Sequence, residues 1–204
     1  MRGFFSAENW LFKPLGVLGD LVILSLLWMV CAIPILTLGP ASAALYDTAV
    51  HSLRRREDTV LSRFLASFRR ELGQGIGSTL IALLAAALFC ALTAALFRLV
   101  PPERGALALM LLLPPGLLLL GVLCWLWPVQ SRFRMGLKAL FFSSLRLALG
   151  HILRTVPMAL LWAVTLALGL RFAAPLFVLP ALAALLCTTL IEPVFQQYEK
   201  PQAP

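Results

Sequence analysis

The side chains that could do chemistry in this chain are few and scattered. His51 and His151 carry no HExxH core of a zinc protease. Cys31, Cys90, Cys124 and Cys187 fall one to each of four apolar stretches without CxxC spacing, so they read as small packing residues, with no disulfide framework and no metal knuckle. Ser25, Ser78 and Thr165 are isolated hydroxyls of the kind that bond back to a helix carbonyl. No GxSxG elbow or phosphate-binding glycine loop accompanies them. Asp20 opens the first apolar stretch and Glu192 closes the last, just before Pro193, where a carboxylate is expected to reach water at little cost. The residues therefore predict neither an enzyme nor a cofactor or metal protein.

The elements that would position such residues are set by the composition. Of 204 residues, 61% are hydrophobic and 13% charged, and the mean hydropathy is +0.93. Soluble domains run near 45–50% apolar and about 25% charged. The charges cluster and leave five uncharged stretches, Leu21 to Tyr46, Gly73 to Phe97, Gly105 to Ser131, Thr155 to Leu170 and Phe172 to Ile191. A helix needs roughly 20 apolar residues to cross about 30 Å of hydrocarbon. The fourth stretch is short, but Arg154 and Arg171 flank it and can snorkel to the two interfaces. Apolar runs such as Ala82 to Leu88 lack the alternation of a β-barrel strand. The expectation is an all-α, polytopic membrane protein forming one membrane domain over 1–204, with about five transmembrane helices near 18–38, 75–97, 105–127, 154–171 and 172–191. The first stretch lacks a small-residue cleavage site and is expected to stay in the mature protein.

The net charge of +8 is distributed as topology requires, and no nucleic-acid partner is inferred from it. With five spans, the segments 47–72 and 129–153 and the C-terminal tail share one side, which holds twelve of the seventeen Lys and Arg residues. That side is predicted to be cytoplasmic, with the N-terminus outside. Residues 1–14, rich in aromatics, are expected to lie on the membrane surface. Residues 41–53 contain Asp47 and His51, which argues for a cytoplasmic-side helix there, since a charge at mid-bilayer costs roughly 2.5–3.5 kcal/mol. Trp125 and Trp127 are expected in the interfacial aromatic belt.

Phe64 to Leu84 aligns without a gap to Phe141 to Leu161, with eight identities in twenty-one positions, among them Phe64/Phe141, Ser67/Ser144, Arg69/Arg146 and Gly73/Gly150. This indicates an internal parallel duplication with units near 61–127 and 138–191. Each copy opens with an amphipathic interfacial helix, Phe64, Phe68 and Leu72 in one and Phe141, Leu145 and Leu149 in the other. Phe64, Phe68, Arg69, Arg70, Phe141, Leu145 and Arg146 could then dock a partner or anionic lipid. The stripe Ala87, Ala91, Ala95 and the pair Gly73, Gly77 are expected to pack against other helices of the chain.

Asp20, Trp28 and the run Pro34-Ile35-Leu36-Thr37-Leu38-Gly39-Pro40, followed by Ala44-Leu45-Tyr46, resemble the YesL-like family of bacterial integral membrane proteins. Ser25 departs from that pattern, which has Asn, and the second half of the chain matches loosely. The family is of unknown function, and its members stand beside carbohydrate-uptake and polysaccharide-degradation systems. The resemblance therefore implies the bacterial cell membrane and a context, without catalytic residues. Physically, Pro34 and Gly39-Pro40 turn the chain out of its first span. The leading expectation is an accessory protein that docks a membrane partner such as a sugar-uptake transporter. The alternative is a small-solute transporter or channel component in its own right, whose path would use the carbonyls freed at Pro114 and Pro115.

Overall fold

The structure is a computed structural model that describes residues 5–55, 58–101, 104–172 and 174–199. Residues 1–4 of the expected surface segment, the connection at Pro102 and Glu103, and the tail from Lys200 lie outside the described residues. The described residues form seven α-helices: α1 (Phe5–Ala32), α2 (Leu38–Thr48), α3 (Val60–Leu99), α4 (Gly105–Arg132), α5 (Leu137–Gly150), α6 (Ile152–Arg171) and α7 (Leu179–Glu199). No strand occurs among the described residues. Four helices are long and apolar enough to cross a membrane, over Val60–Leu99, Gly105–Arg132, Ile152–Gly169 and Leu179–Gln197, and a shorter apolar helix covers Gly16–Ala32. The protein is membrane-embedded.

At roughly 1.5 Å per residue, the 40 residues of α3 extend about 60 Å, twice the hydrocarbon thickness, so its charged first half must lie outside the bilayer core. The second half is a lipid-type surface, with Leu84 and Leu88 about 70% exposed. Only 6% of the apolar stretch of α3 is buried, against 56% of that of α7, which runs inside the bundle.

Proline and threonine shape the turn after α1. Pro34 lacks the N–H that a continuing helix needs, and a 3-10 turn over Ile35–Thr37 follows. The Thr37 hydroxyl lies 2.6 Å from the Cys31 carbonyl and 2.7 Å from that of Pro34. Pro40 then sits in the first turn of α2, where its missing N–H has no helical acceptor to lose.

The chain from 39 to 50 is buried at every residue. The helix expected at 41–53 thus exists, as α2 and a π-helical continuation over Ala49–Arg54, and it is encased by protein. It runs antiparallel to α3, with Gly39 against Gly75 and Thr79 and Asp47 against Arg63 and Ser67. Gly39 and Gly75 permit the close approach. A Cβ on Gly39 would lie 2.7 Å from the Gly75 carbonyl oxygen, and one on Gly75 would lie 2.5 Å from the Pro40 ring. The Thr79 hydroxyl accepts the Gly39 N–H at 2.9 Å.

The register read from the sequence sets Val60 opposite Leu137, and these residues open α3 and α5. Ser67 and Ser144 are both buried, and Arg69 and Arg146 are both exposed. The two segments differ in continuity. α3 is unbroken, whereas the second copy bends at His151 (φ −126°, ψ 47°) between α5 and α6. The Thr155 hydroxyl stands at that bend, 3.2 Å from the Ala148 carbonyl and 3.1 Å from that of His151.

Three packing expectations are corrected. Trp125 is fully buried, and its indole N–H donates to Thr155 at 2.9 Å, so it belongs to the core and not to an interfacial belt. Trp127 is partly buried beside Gly39. Ala87, Ala91 and Ala95 are exposed, because α3 turns its opposite side, with Phe89, to Gly116 of α4. Of the glycine pair, Gly77 does pack on another helix, where an added Cβ would lie 3.1 Å from the Leu137 side chain of α5, whereas Gly73 has open space around it and a closer contact is made at Gly75.

Candidate functional site

The polar groups of the protein converge on α2, whose adjacent residues Tyr46 and Asp47 each hold one cluster. Asp47 receives Arg63 through two bonds, Nε to Oδ2 at 2.7 Å and Nη2 to Oδ1 at 3.1 Å. This bidentate fork is the strongest geometry available to the pair. The Ser67 hydroxyl donates to Asp47 Oδ2 at 2.7 Å. His51 Nδ1 lies 2.9 Å from the Asp47 carbonyl and 3.3 Å from its carboxylate. Burial pushes the Asp47 pKa up, but the hydrogen bonds from Arg63 and Ser67 and the charge of Arg63 outweigh it and hold the carboxyl below its ordinary range.

The cluster continues along α3 and across to α4. Arg70 donates to Ser67 at 3.0 Å and to Glu71 at 2.9 Å. Gln130 donates to Glu71 at 3.2 Å and accepts the Ser78 hydroxyl at 2.7 Å. Each side chain of this network has a hydrogen-bond partner, as a low-dielectric interior requires, whereas the Ser52 hydroxyl and the Trp127 indole N–H, also buried, are left without one.

The second cluster is centred on Glu192, which is 2% exposed. The Tyr46 hydroxyl donates to it at 3.3 Å, Arg132 lies 3.4 Å away and Arg55 3.5 Å away. Glu192 does not reach for water from the end of a span; two guanidiniums come to it. Extending the internal register sets Arg55 opposite Arg132, so equivalent positions of the two halves grip one carboxylate. Arg54 adds a bond to the Thr188 carbonyl at 3.1 Å, and Arg154 one to that of Leu190 at 3.4 Å.

Of the residues singled out in the sequence, Gly39, Pro40, Ala44, Leu45 and Tyr46 are buried together on α2. Thr37 and the exposed Pro34 shape the turn before it, and Asp20 is partly buried on α1. The motif is thus a packing and anchoring device. Phe64 is fully buried in a core with Leu21, Leu24 and Leu45, and it stacks on the partly buried Phe68 at 6.1 Å and 8°. Its ring is therefore out of a partner's reach. Phe141 and Leu145 are partly buried, and Arg69, Arg70 and Arg146 are exposed, with Arg70 turned towards Glu71. The structure does not bring the two sets into one patch of side-chain bonds. Sequence reasoning missed Asp47, Arg63, Ser67, Glu71, Gln130, Arg55 and Arg132 as a network; the one available signal was that Arg55 and Arg132 share a register.

Chemically, the clusters are closed ion pairs that pin α2 to α3, α4 and α7. Among the described residues, no three His, Cys, Asp or Glu side chains come together as a metal site would need. No curated protein and no solved structure matches this chain. Residues 21–98, which include all of α2 and its Asp47 cluster, match the model of a family described as a protein of unknown function, DUF624.

Proposed function

We propose that this chain is an accessory protein of a bacterial cytoplasmic membrane that docks a membrane partner through the exposed sides of α5 and the first half of α3. It crosses the bilayer five times, with the N-terminus outside, the C-terminus in the cytoplasm and an internal duplication behind its two basic helices. Its family resemblance to YesL-like proteins points to a sugar-uptake transporter as the partner. No catalytic step is assigned.

The observation that supports this reading is an exposed apolar residue beside an exposed arginine on each of the two helices. In matching register, Leu65 and Phe142 are exposed, at 37% and 74%, next to the exposed Arg69 and Arg146. Apolar groups rimmed by arginine are the composition of a protein interface. The alternative of a solute path loses ground because the buried carboxylates Asp47 and Glu192 are each bound by guanidinium groups. Affinity isolation from mild detergent should recover a defined membrane partner with the native chain. Leu65→Asp together with Phe142→Asp should abolish that recovery while leaving the fold intact, because neither side chain is in the core. A chain that is always isolated alone would sink the proposal.

A further inference from the structure

A cavity of about 410 Å³ lies between α1, α2, α4, α6 and α7. Its size falls within the roughly 300–1,000 Å³ of small-molecule sites. The floor is made by the buried Leu45, Cys124, Ala184 and Cys187, and the walls include Trp28 and Trp162. Leu120 and Leu166 stand on its lining with 49% and 60% of their surface exposed, so they mark where it opens.

The surroundings of that opening identify what can enter. Leu120 and Leu166 belong to α4 and α6, two helices long and apolar enough to span a membrane. The medium at this mouth is therefore lipid, and water does not compete for the space. The lining carries little hydrogen-bonding capacity. The Ser42 hydroxyl already accepts the Trp28 indole N–H at 3.2 Å, the Tyr46 hydroxyl is committed to Glu192, and the unpartnered Trp127 indole N–H is buried beside Gly39. A polar solute would exchange its hydration here for at most that one donor, at a cost of several kcal/mol. A hydrocarbon chain loses nothing and fills a space that apolar walls would otherwise leave without dispersion contacts.

We infer that this cavity is a binding site for one acyl chain of a membrane phospholipid, which enters sideways from the bilayer between α4 and α6. The chain lies against Trp28 and Trp162, with Ala163 as part of the wall. The bound lipid is a structural component of the protein, independent of any docking partner.

The test is native mass spectrometry of the full chain, reconstituted into vesicles of phosphatidylcholine and phosphatidylglycerol and re-extracted in mild detergent. The expected result is one retained phospholipid per chain, with retention falling at least about tenfold in Ala163→Phe, where the new ring occupies the cavity. Retention of no phospholipid by the native chain overturns the inference, as does undiminished retention in a folded Ala163→Phe variant. A second measurement needs no variant. Vesicles of chain-brominated phosphatidylcholine should leave the re-extracted native protein with lower tryptophan fluorescence than unbrominated vesicles do, because Trp28 and Trp162 line the site. Equal fluorescence from the two preparations also overturns the inference.

Discussion

Asp47 and Arg63 in the first half of the chain stand where the internal register places Cys124 and Leu140 in the second. The first pair is a bidentate ion pair with side chains 6% and 25% exposed. The second pair is apolar, 9% and 0% exposed, and sits in the main hydrophobic core with Trp125 and Phe195. Positions paired by the sequence register are thus buried by two kinds of force. Burying charge carries a desolvation cost that the pair's attraction offsets only while both partners are present, whereas apolar burial has no such condition. The comparison teaches that the ion pair is not required to hold a helix in this place. Its distinctive effect is to penalise any arrangement in which Asp47 and Arg63 do not meet.

The sharpest way to break the comparison is to convert the first half into the second. Arg63→Leu alone leaves the Asp47 carboxylate buried with its main partner gone, and the loss should be about 3 kcal/mol, at the low end for buried pairs because Arg63 is a quarter exposed. Adding Asp47→Cys should restore stability to within about 1 kcal/mol of the native chain. Chemical unfolding in detergent, followed by tryptophan fluorescence, reads both. A double variant no more stable than the single one would show that the two halves are not interchangeable.

Next in size is the contact between Gly39 and Gly75, whose partners in the sequence register are Gly116 and Ile152. Gly75→Ala drives a methyl group into the Pro40 ring and should cost about 2 kcal/mol. Gly73→Ala, in open space on the same helix, should be stabilising by about 0.5–1 kcal/mol, since it removes backbone freedom from the unfolded chain. Equal effects at the two positions would mean that α2 and α3 are not held at the distance seen here.

These positions also mark where the sequence could be read. Uncharged stretches and clustered arginines revealed an all-helical membrane protein, because the bilayer imposes length and polarity on each segment separately. The apolar periodicity indicated helices over Phe64 to Leu72 and Phe141 to Leu149, which lie within α3 and α5, because that spacing is a local property of the chain. Burial of α2 was not legible. Asp47 and His51 argued only for a place outside the bilayer core, and what lets that helix be buried in protein is a pair of partners on another helix, Arg63 and Ser67. Glu192 was misread for the same reason, since Arg55 and Arg132 reach it from far along the chain. The small-residue stripe was visible, but which side of α3 meets α4 depends on the whole packing, so Ala87, Ala91 and Ala95 were assigned the wrong side and Gly75 was overlooked.

A smaller difference separates the matched serines. Ser67 donates to the Asp47 carboxylate at 2.7 Å, while Ser144 bonds back to the Leu140 carbonyl of its own helix at 2.9 Å. Ser67→Ala should therefore cost about 1.5 kcal/mol, the value of a hydrogen bond to a charged group, and Ser144→Ala less than about 0.5 kcal/mol. The same unfolding assay decides it, and a larger loss at Ser144 would reverse the assignment of the electrostatic role to the first half.

The subtlest distinction is in the response to acid. The Asp47 carboxyl is held below its ordinary range in the folded state, chiefly by Arg63 and Ser67 acting against burial. A depressed folded value means that the unfolded chain takes up the proton first as pH falls. The contribution of the pair is then complete above the unfolded carboxylate value of about 3.9 and is lost as pH falls through the folded value. The second half has no carboxylate at the equivalent position, so its packing is indifferent to this titration. Subtracting the stability curve of the Asp47→Cys/Arg63→Leu variant from that of the native chain, between neutral pH and the lowest pH at which both remain folded, isolates the contribution. The difference should be flat above about pH 5 and fall in favour of the variant below it. A difference that stays flat throughout would mean that Asp47 is as acidic in the unfolded chain as in the folded one, and that Arg63 does not hold it as the geometry indicates.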